Sequence, residues 1–97
     1  MPINKDEVLT EEQRIALGCY LTLNNCRILT SRLSPNPGEI VLVVPELALR
    51  QGMMLEKVQE VARREGVQSE EVRFPFRRSL ALRANPNRVV DLFRRFS

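Results

Sequence analysis

The sequence predicts a small α+β domain: helix, strand, helix, turn, helix, β-hairpin and helix, with a three-stranded, mostly antiparallel sheet packed by helices. Three observations carry this. The continuous run Ile40 to Val44 reads as a strand covered on both faces. Residues 71–77 alternate as a half-buried strand does, and two stretches, Met54–Ala62 and Val89–Phe96, repeat apolar residues at helical spacing. Ninety-seven residues with 43% apolar and 28% charged side chains suit one modest core rather than disorder. The expected division is a loose arm over residues 1–9 and a single domain over residues 10–97.

Along the chain, Thr10 followed by Gln13 has the form of a capping box. Ile15, Cys19, Leu23, Cys26, Leu29 and Leu33 follow at helical spacing, and Leu17, Leu21 and Ile28 form a second stripe on the opposite side. A helix over Glu11–Leu33 that is apolar on two faces is central in its domain or shared with a partner subunit. A hairpin of Tyr20–Leu23 and Cys26–Thr30 around Asn24-Asn25 is the alternative, because Thr and Asn are poor helix formers.

Ser34-Pro35-Asn36-Pro37-Gly38 stops this segment and turns the chain. Pro45 closes the strand that follows and suits the first turn of a short helix over Glu46–Gln51, broken at Gly52. Met54, Leu55, Val58, Val61 and Ala62 then line one side of a helix that Gly66 ends as a left-handed cap. In the alternating run, Val72, Phe74 and Phe76 fall to one side and Arg73, Pro75 and Arg77 to the other, with Pro75 marking an edge strand. Leu80, Leu82 and Ala84 continue as its partner, which leaves Arg78-Ser79 near the hairpin tip. Asn85-Pro86 opens the last helix.

Charge is divided unevenly. Residues 1–72 hold 8 Lys/Arg against 11 Asp/Glu, a net of −3, whereas residues 73–97 hold 7 Arg against Asp91 alone, a net of +6. Arginines interleaved with Phe74, Phe76, Phe93 and Phe96 suit a surface that grips phosphate or carboxylate. They equally suit an edge strand guarded by charge, with the four rings at the buried phase of their elements.

Catalytic and metal chemistry find no footing. No His is present, no Ser or Cys has an activating partner in reach of the sequence, and neither a metal-ligand spacing nor a nucleotide-binding glycine motif occurs. Cys19 and Cys26 are read as reduced core thiols, since on a helix they lie about 10 Å apart, beyond disulfide reach. The expectation is a non-enzymatic protein with no cofactor and no metal. With no signal-peptide layout at the N-terminus and no apolar run long enough to span a membrane, a cytoplasmic location is expected.

Ala48 and Gly52, four residues apart, with apolar Leu47, Met53, Val58 and Val61 around them, are similar to the core pattern of helix-turn-helix units. Together with the element order, these residues make the chain resemble the winged helix-turn-helix DNA-binding superfamily, by order over residues 10–84 and by motif over residues 47–61. The resemblance implies a transcription regulator in which Leu55–Arg64 is the recognition helix and Phe74–Leu82 the wing. Arg77 and Arg78 would then hold phosphates from the wing tip, flanked by Arg73 and Arg83. Lys57, Arg63 and Arg64 would add to them from the helix, which also carries Glu56 and Glu60. The other expectation is an adaptor whose Arg-rich C-terminal region docks an acidic protein. There, Leu17, Leu21 and Ile28 would form a homodimer or partner interface.

Overall fold

The computed structural model describes residues 9–29, 36–73 and 76–96. Among these residues three helices cover one face of a four-stranded antiparallel sheet. In chain order the elements are α1 (Glu11–Gly18), β1 (Arg27–Leu29), β2 (Ile40–Pro45), α2 (Leu55–Arg64), β3 (Gln68–Arg73), β4 (Arg78–Ala84) and α3 (Pro86–Arg94). Single 3-10 turns occupy Leu23–Asn25 and Glu46–Ala48. The strand order is β1-β2-β4-β3. The α+β class is as expected; the sheet gains a fourth strand because Arg27–Leu29 pairs with Val43–Val41 of β2.

The N-terminal segment departs most from its sequence reading. The capping box forms in full: Gln13 N donates to Thr10 Oγ1 (3.1 Å) and Thr10 N to Gln13 Oε1 (2.9 Å). The helix, however, ends at Gly18 rather than running to Leu33. Leu21 then makes an isolated bridge to Leu49, and Thr22 N donates to the Ala48 carbonyl (2.8 Å). The hairpin alternative fails too, since residues 27–29 pair with β2 and not with Tyr20–Leu23. With the long helix gone, the proposed interface stripe does not exist: Leu17 and Leu21 are fully buried in the core, and Ile28 packs against it. Cys19 is exposed, Cys26 is buried, and both are free thiols. Ile15, expected on an inward stripe, is 65% exposed. Leu9, assigned to the loose arm, is buried, so the domain begins before Thr10; residues 1–8 lie outside the described residues, as do Leu33, Ser34, Pro35, Phe74 and Pro75.

Along β2 every residue is buried, as the unbroken apolar run predicts. Alternation sends Ile40, Leu42 and Val44 into the helix-side core with Leu80, Leu82 and Ala84 of β4. Val41 and Val43 face the other side. The expected short helix after Pro45 is one 3-10 turn, followed by a turn in which Gly52 takes the left-handed conformation that its lack of Cβ permits. Leu55, Val58, Val61 and Ala62 are the buried face of α2, while Met54 lies one residue outside it as an exposed N-cap.

β3 and β4 form the predicted hairpin, with its end displaced: the last pair is Arg73 with Arg78, and Ser79 is a fully buried strand residue and not part of the tip. Asn85 caps α3 through its side chain, which accepts from Asn87 N, with Pro86 in the first turn. Phe93 is completely buried, its ring 6.2 Å from that of Tyr20 and 6.1 Å from that of Phe96.

Candidate nucleic-acid interface

Which of the basic side chains remain available to a ligand depends on which carboxylates the fold brings to them. Arg78, the first residue of β4, lies directly across the ladder from Arg73. Like charges in register are unfavourable unless something neutralises them. Two carboxylates do: Arg78 Nε donates to Glu71 on β3, and Arg78 Nη1 to Glu56 on α2. The Arg78 hydrogen bond holds the Glu56 carboxyl below the ordinary glutamate value, and the two carboxylates hold Arg78 above its own. The geometry makes Arg78, expected to hold phosphate, a strut between hairpin and helix.

Other cations are also engaged within the fold. On α2, Glu60 takes both Arg64 (2.8 Å) and Lys57 (3.9 Å), in solvent-exposed pairs of the kind that contribute little to stability. At the far end, Arg88 Nη2 donates to the Glu65 carbonyl (2.8 Å) and Arg95 pairs with the Glu65 carboxylate (3.2 Å). These two contacts pin α3 to the C-terminus of α2. Arg94 faces Asp91 (3.7 Å). Much of the basic excess read from the last quarter of the chain therefore serves internal attachment.

Arg63, Arg73, Arg77 and Arg83 are different: among the described residues none of them has a carboxylate partner. Arg63 projects alone from α2. The other three belong to the hairpin. By alternation Arg83 lies on the sheet face opposite the helices, in register with Val41 and Gln68. Arg77 lines a groove of about 460 Å³ on that same side with Arg27, Val43, Pro45, Leu47 and the Asn24-Asn25 turn. Arg73 guards the hairpin from the helix side. Val41 and Val43 are buried here, and among the described residues neither belongs to the helix-side core. Each stands in register with an arginine, Arg83 or Arg27, a side chain whose aliphatic stem can cover apolar surface. Among the described residues the open face thus has an apolar centre, the cations Arg27, Arg77 and Arg83, and the acid Glu70 opposite Ala81.

Phe76 stands at the hairpin tip, next to Arg77 in the chain. Its position corrects the sequence reading, which placed it in the core: it is 96% exposed, and its φ of 96° is in the left-handed region. Such a backbone costs about 1–2 kcal/mol for a residue with a side chain, and leaving a Phe in water forgoes about 2 kcal/mol of burial. The alternation expected for residues 71–77 stops at Arg73, so the phase that would have buried the ring is lost. Sequence reasoning also missed Arg27, which was assigned to a helix, and Leu47, 43% exposed beside Arg77. The strand propensity of Arg27-Ile28-Leu29 was the available signal.

The arrangement offers guanidinium donors beside apolar and aromatic surface, which binds anions and flat or aliphatic groups. Among the described residues no group of three or more His, Cys, Asp or Glu is placed to hold a metal ion, and no helix is long and apolar enough to cross a membrane. Comparison with protein-family models, with curated proteins and with solved structures finds no match to this chain.

Proposed function

We propose that this chain is a small, cytoplasmic, non-enzymatic protein that binds nucleic acid through the β3–β4 hairpin and the open face of the sheet. Arg77 and Arg83 would hold phosphates on the open face, and Arg73 would hold one at the hairpin's other side. The observation that carries the reading is the distribution of ion pairs: Lys57, Arg64, Arg78, Arg94 and Arg95 are tied to Glu56, Glu60, Glu65, Glu71 or Asp91, while Arg73, Arg77 and Arg83 have no ion pair among the described residues, although Glu70 shares a cleft with Arg83. Of the winged helix-turn-helix expectation the reading keeps only a helix followed by a hairpin, since Glu46–Ala48 is a single 3-10 turn and not the first helix of such a unit. The pairing of Lys57 and Arg64 with Glu60 weighs toward the hairpin, rather than α2, as the binding element.

Fluorescence anisotropy with duplex and single-stranded oligonucleotides at two salt concentrations tests this. Binding should weaken with salt at a slope of about two to three in log–log form, from roughly 0.7–0.9 per phosphate contact. Arg77→Glu combined with Arg83→Glu should abolish binding with an unchanged circular dichroism spectrum. Undiminished affinity in the double variant would sink the assignment.

A second reading has its own observation. Leu47 lines one groove with Arg77 and Arg27, and arginine is enriched among the residues that dominate protein interfaces. An adaptor would take an acidic segment with an aliphatic anchor there. Leu47→Ala would then weaken binding of the protein partner, and oligonucleotides would not compete.

A further inference from the structure

We infer that Phe76 is a base-stacking residue: its ring packs on an unpaired nucleobase of a single strand whose phosphates Arg73 and Arg77 hold on either side. The inference rests on the nucleic-acid reading and names the form of nucleic acid. Tyr20 and Phe96 each pack against Phe93 in and beside the core, whereas Phe76 has no ring partner among the described residues and is 96% exposed. A bulky residue persists in a left-handed backbone where its surroundings fix it there. Here Ser79 Oγ donates to the Arg77 carbonyl (3.2 Å), and the Glu56–Arg78–Glu71 contacts fasten the start of β4 to both β3 and α2. The chain that follows the ring is therefore held, which lowers the ordering cost of binding.

Stacking suits this geometry because every base offers a flat face and the flanking guanidinium groups supply the backbone contacts. A duplex shows only base edges. To reach them the neighbouring helix would have to approach the phosphates with Lys57 and Arg64 already on Glu60 and with Glu56 at its start. A single strand needs only the hairpin.

The test uses the full chain with three oligodeoxynucleotides of equal length at low salt: oligothymidine, the same backbone with abasic sites, and a duplex. The wild type should bind oligothymidine roughly 5- to 100-fold more tightly than the abasic strand. Phe76→Ala should erase that preference and leave abasic binding unchanged, and Phe76→Tyr should restore it. Equal binding of both strands by the wild type, or a preference that survives Phe76→Ala, overturns the stacking role and leaves the phosphate assignment standing. A duplex bound as tightly as oligothymidine and equally weakened by Phe76→Ala overturns it in favour of a wedge between paired bases. Failure of all three to bind overturns the phosphate reading together with the stacking role, and assigns the ring to a protein pocket.

Discussion

Arg78 and Glu56, 22 residues apart in sequence, meet across the space between β4 and α2, with Arg78 Nη1 donating to the Glu56 carboxylate. Because Arg78 also reaches Glu71, one side chain joins both hairpin strands to the helix. Its role in binding is therefore indirect. Arg78→Ala should reduce oligonucleotide affinity far less than Arg77→Glu, while lowering the midpoint of urea unfolding. Anisotropy and urea titrations on the two variants separate holding the hairpin from holding the ligand; an Arg78→Ala loss as large as that of Arg77→Glu would return Arg78 to the binding surface.

The same contact sets a pH dependence. Glu56 has its folded value depressed, chiefly by the Arg78 hydrogen bond. A depressed carboxyl contributes stability that is complete above the ordinary glutamate value of 4.5 and is lost as pH falls through the lower folded value. Arg78 stays protonated throughout, so the carboxylate alone carries the change. Wild type should therefore exceed Glu56→Gln in urea midpoint at neutral pH, with the gap closing in acid. A gap constant across that range would show that Glu56 acts through packing and not through charge.

Leu21 provides a test of the core. It has no exposed surface, and its bridge to Leu49 joins the stretch after α1 to the turn before α2. Leu21→Ala should cost about 2–5 kcal/mol, a large share of the roughly 5–15 kcal/mol typical of a domain. Leu21→Glu should unfold the chain. Sedimentation of a folded Leu21→Glu variant at lower mass than wild type would instead restore the interface role that a long amphipathic helix implied.

Much of the fold was legible where local chemistry decides it. Thr10 with Gln13, Asn85 with Pro86, Gly66, and the apolar runs of β2 and α2 each specify their structure within a few residues. The failures share one cause. Cys19 to Leu29 holds apolar residues at spacings that also fit a helix, and only pairing with a strand more than ten residues away makes Arg27–Leu29 a strand. For the site, net charge was readable but its partners were not: whether an arginine faces solvent or Glu56, Glu60 or Glu65 is decided by tertiary placement. Gln13 illustrates the same limit, since its cap was legible while its 2.6 Å donation to Asn87 Oδ1 on α3 was not.

Phe76 links stability to binding. A left-handed backbone at φ 96° is tolerated by glycine and strained for phenylalanine, and the ring, 96% exposed, gives up almost no packing when removed. Phe76→Gly should therefore stabilise the protein despite deleting a large apolar side chain, by about 1 kcal/mol after the added chain entropy of glycine is set against relief of strain. For a domain of this size that corresponds to roughly 4–8 °C in Tm. Phe76→Ala keeps the strain of a Cβ at positive φ and should leave Tm nearly unchanged. Differential scanning calorimetry of the two variants gives the comparison. If Phe76→Gly instead lowers Tm by several degrees, the ring is packed in solution and the tip is not a free binding element. If it raises Tm while oligothymidine affinity falls, the hairpin retains a strained aromatic at the expense of stability because the ring contacts the ligand.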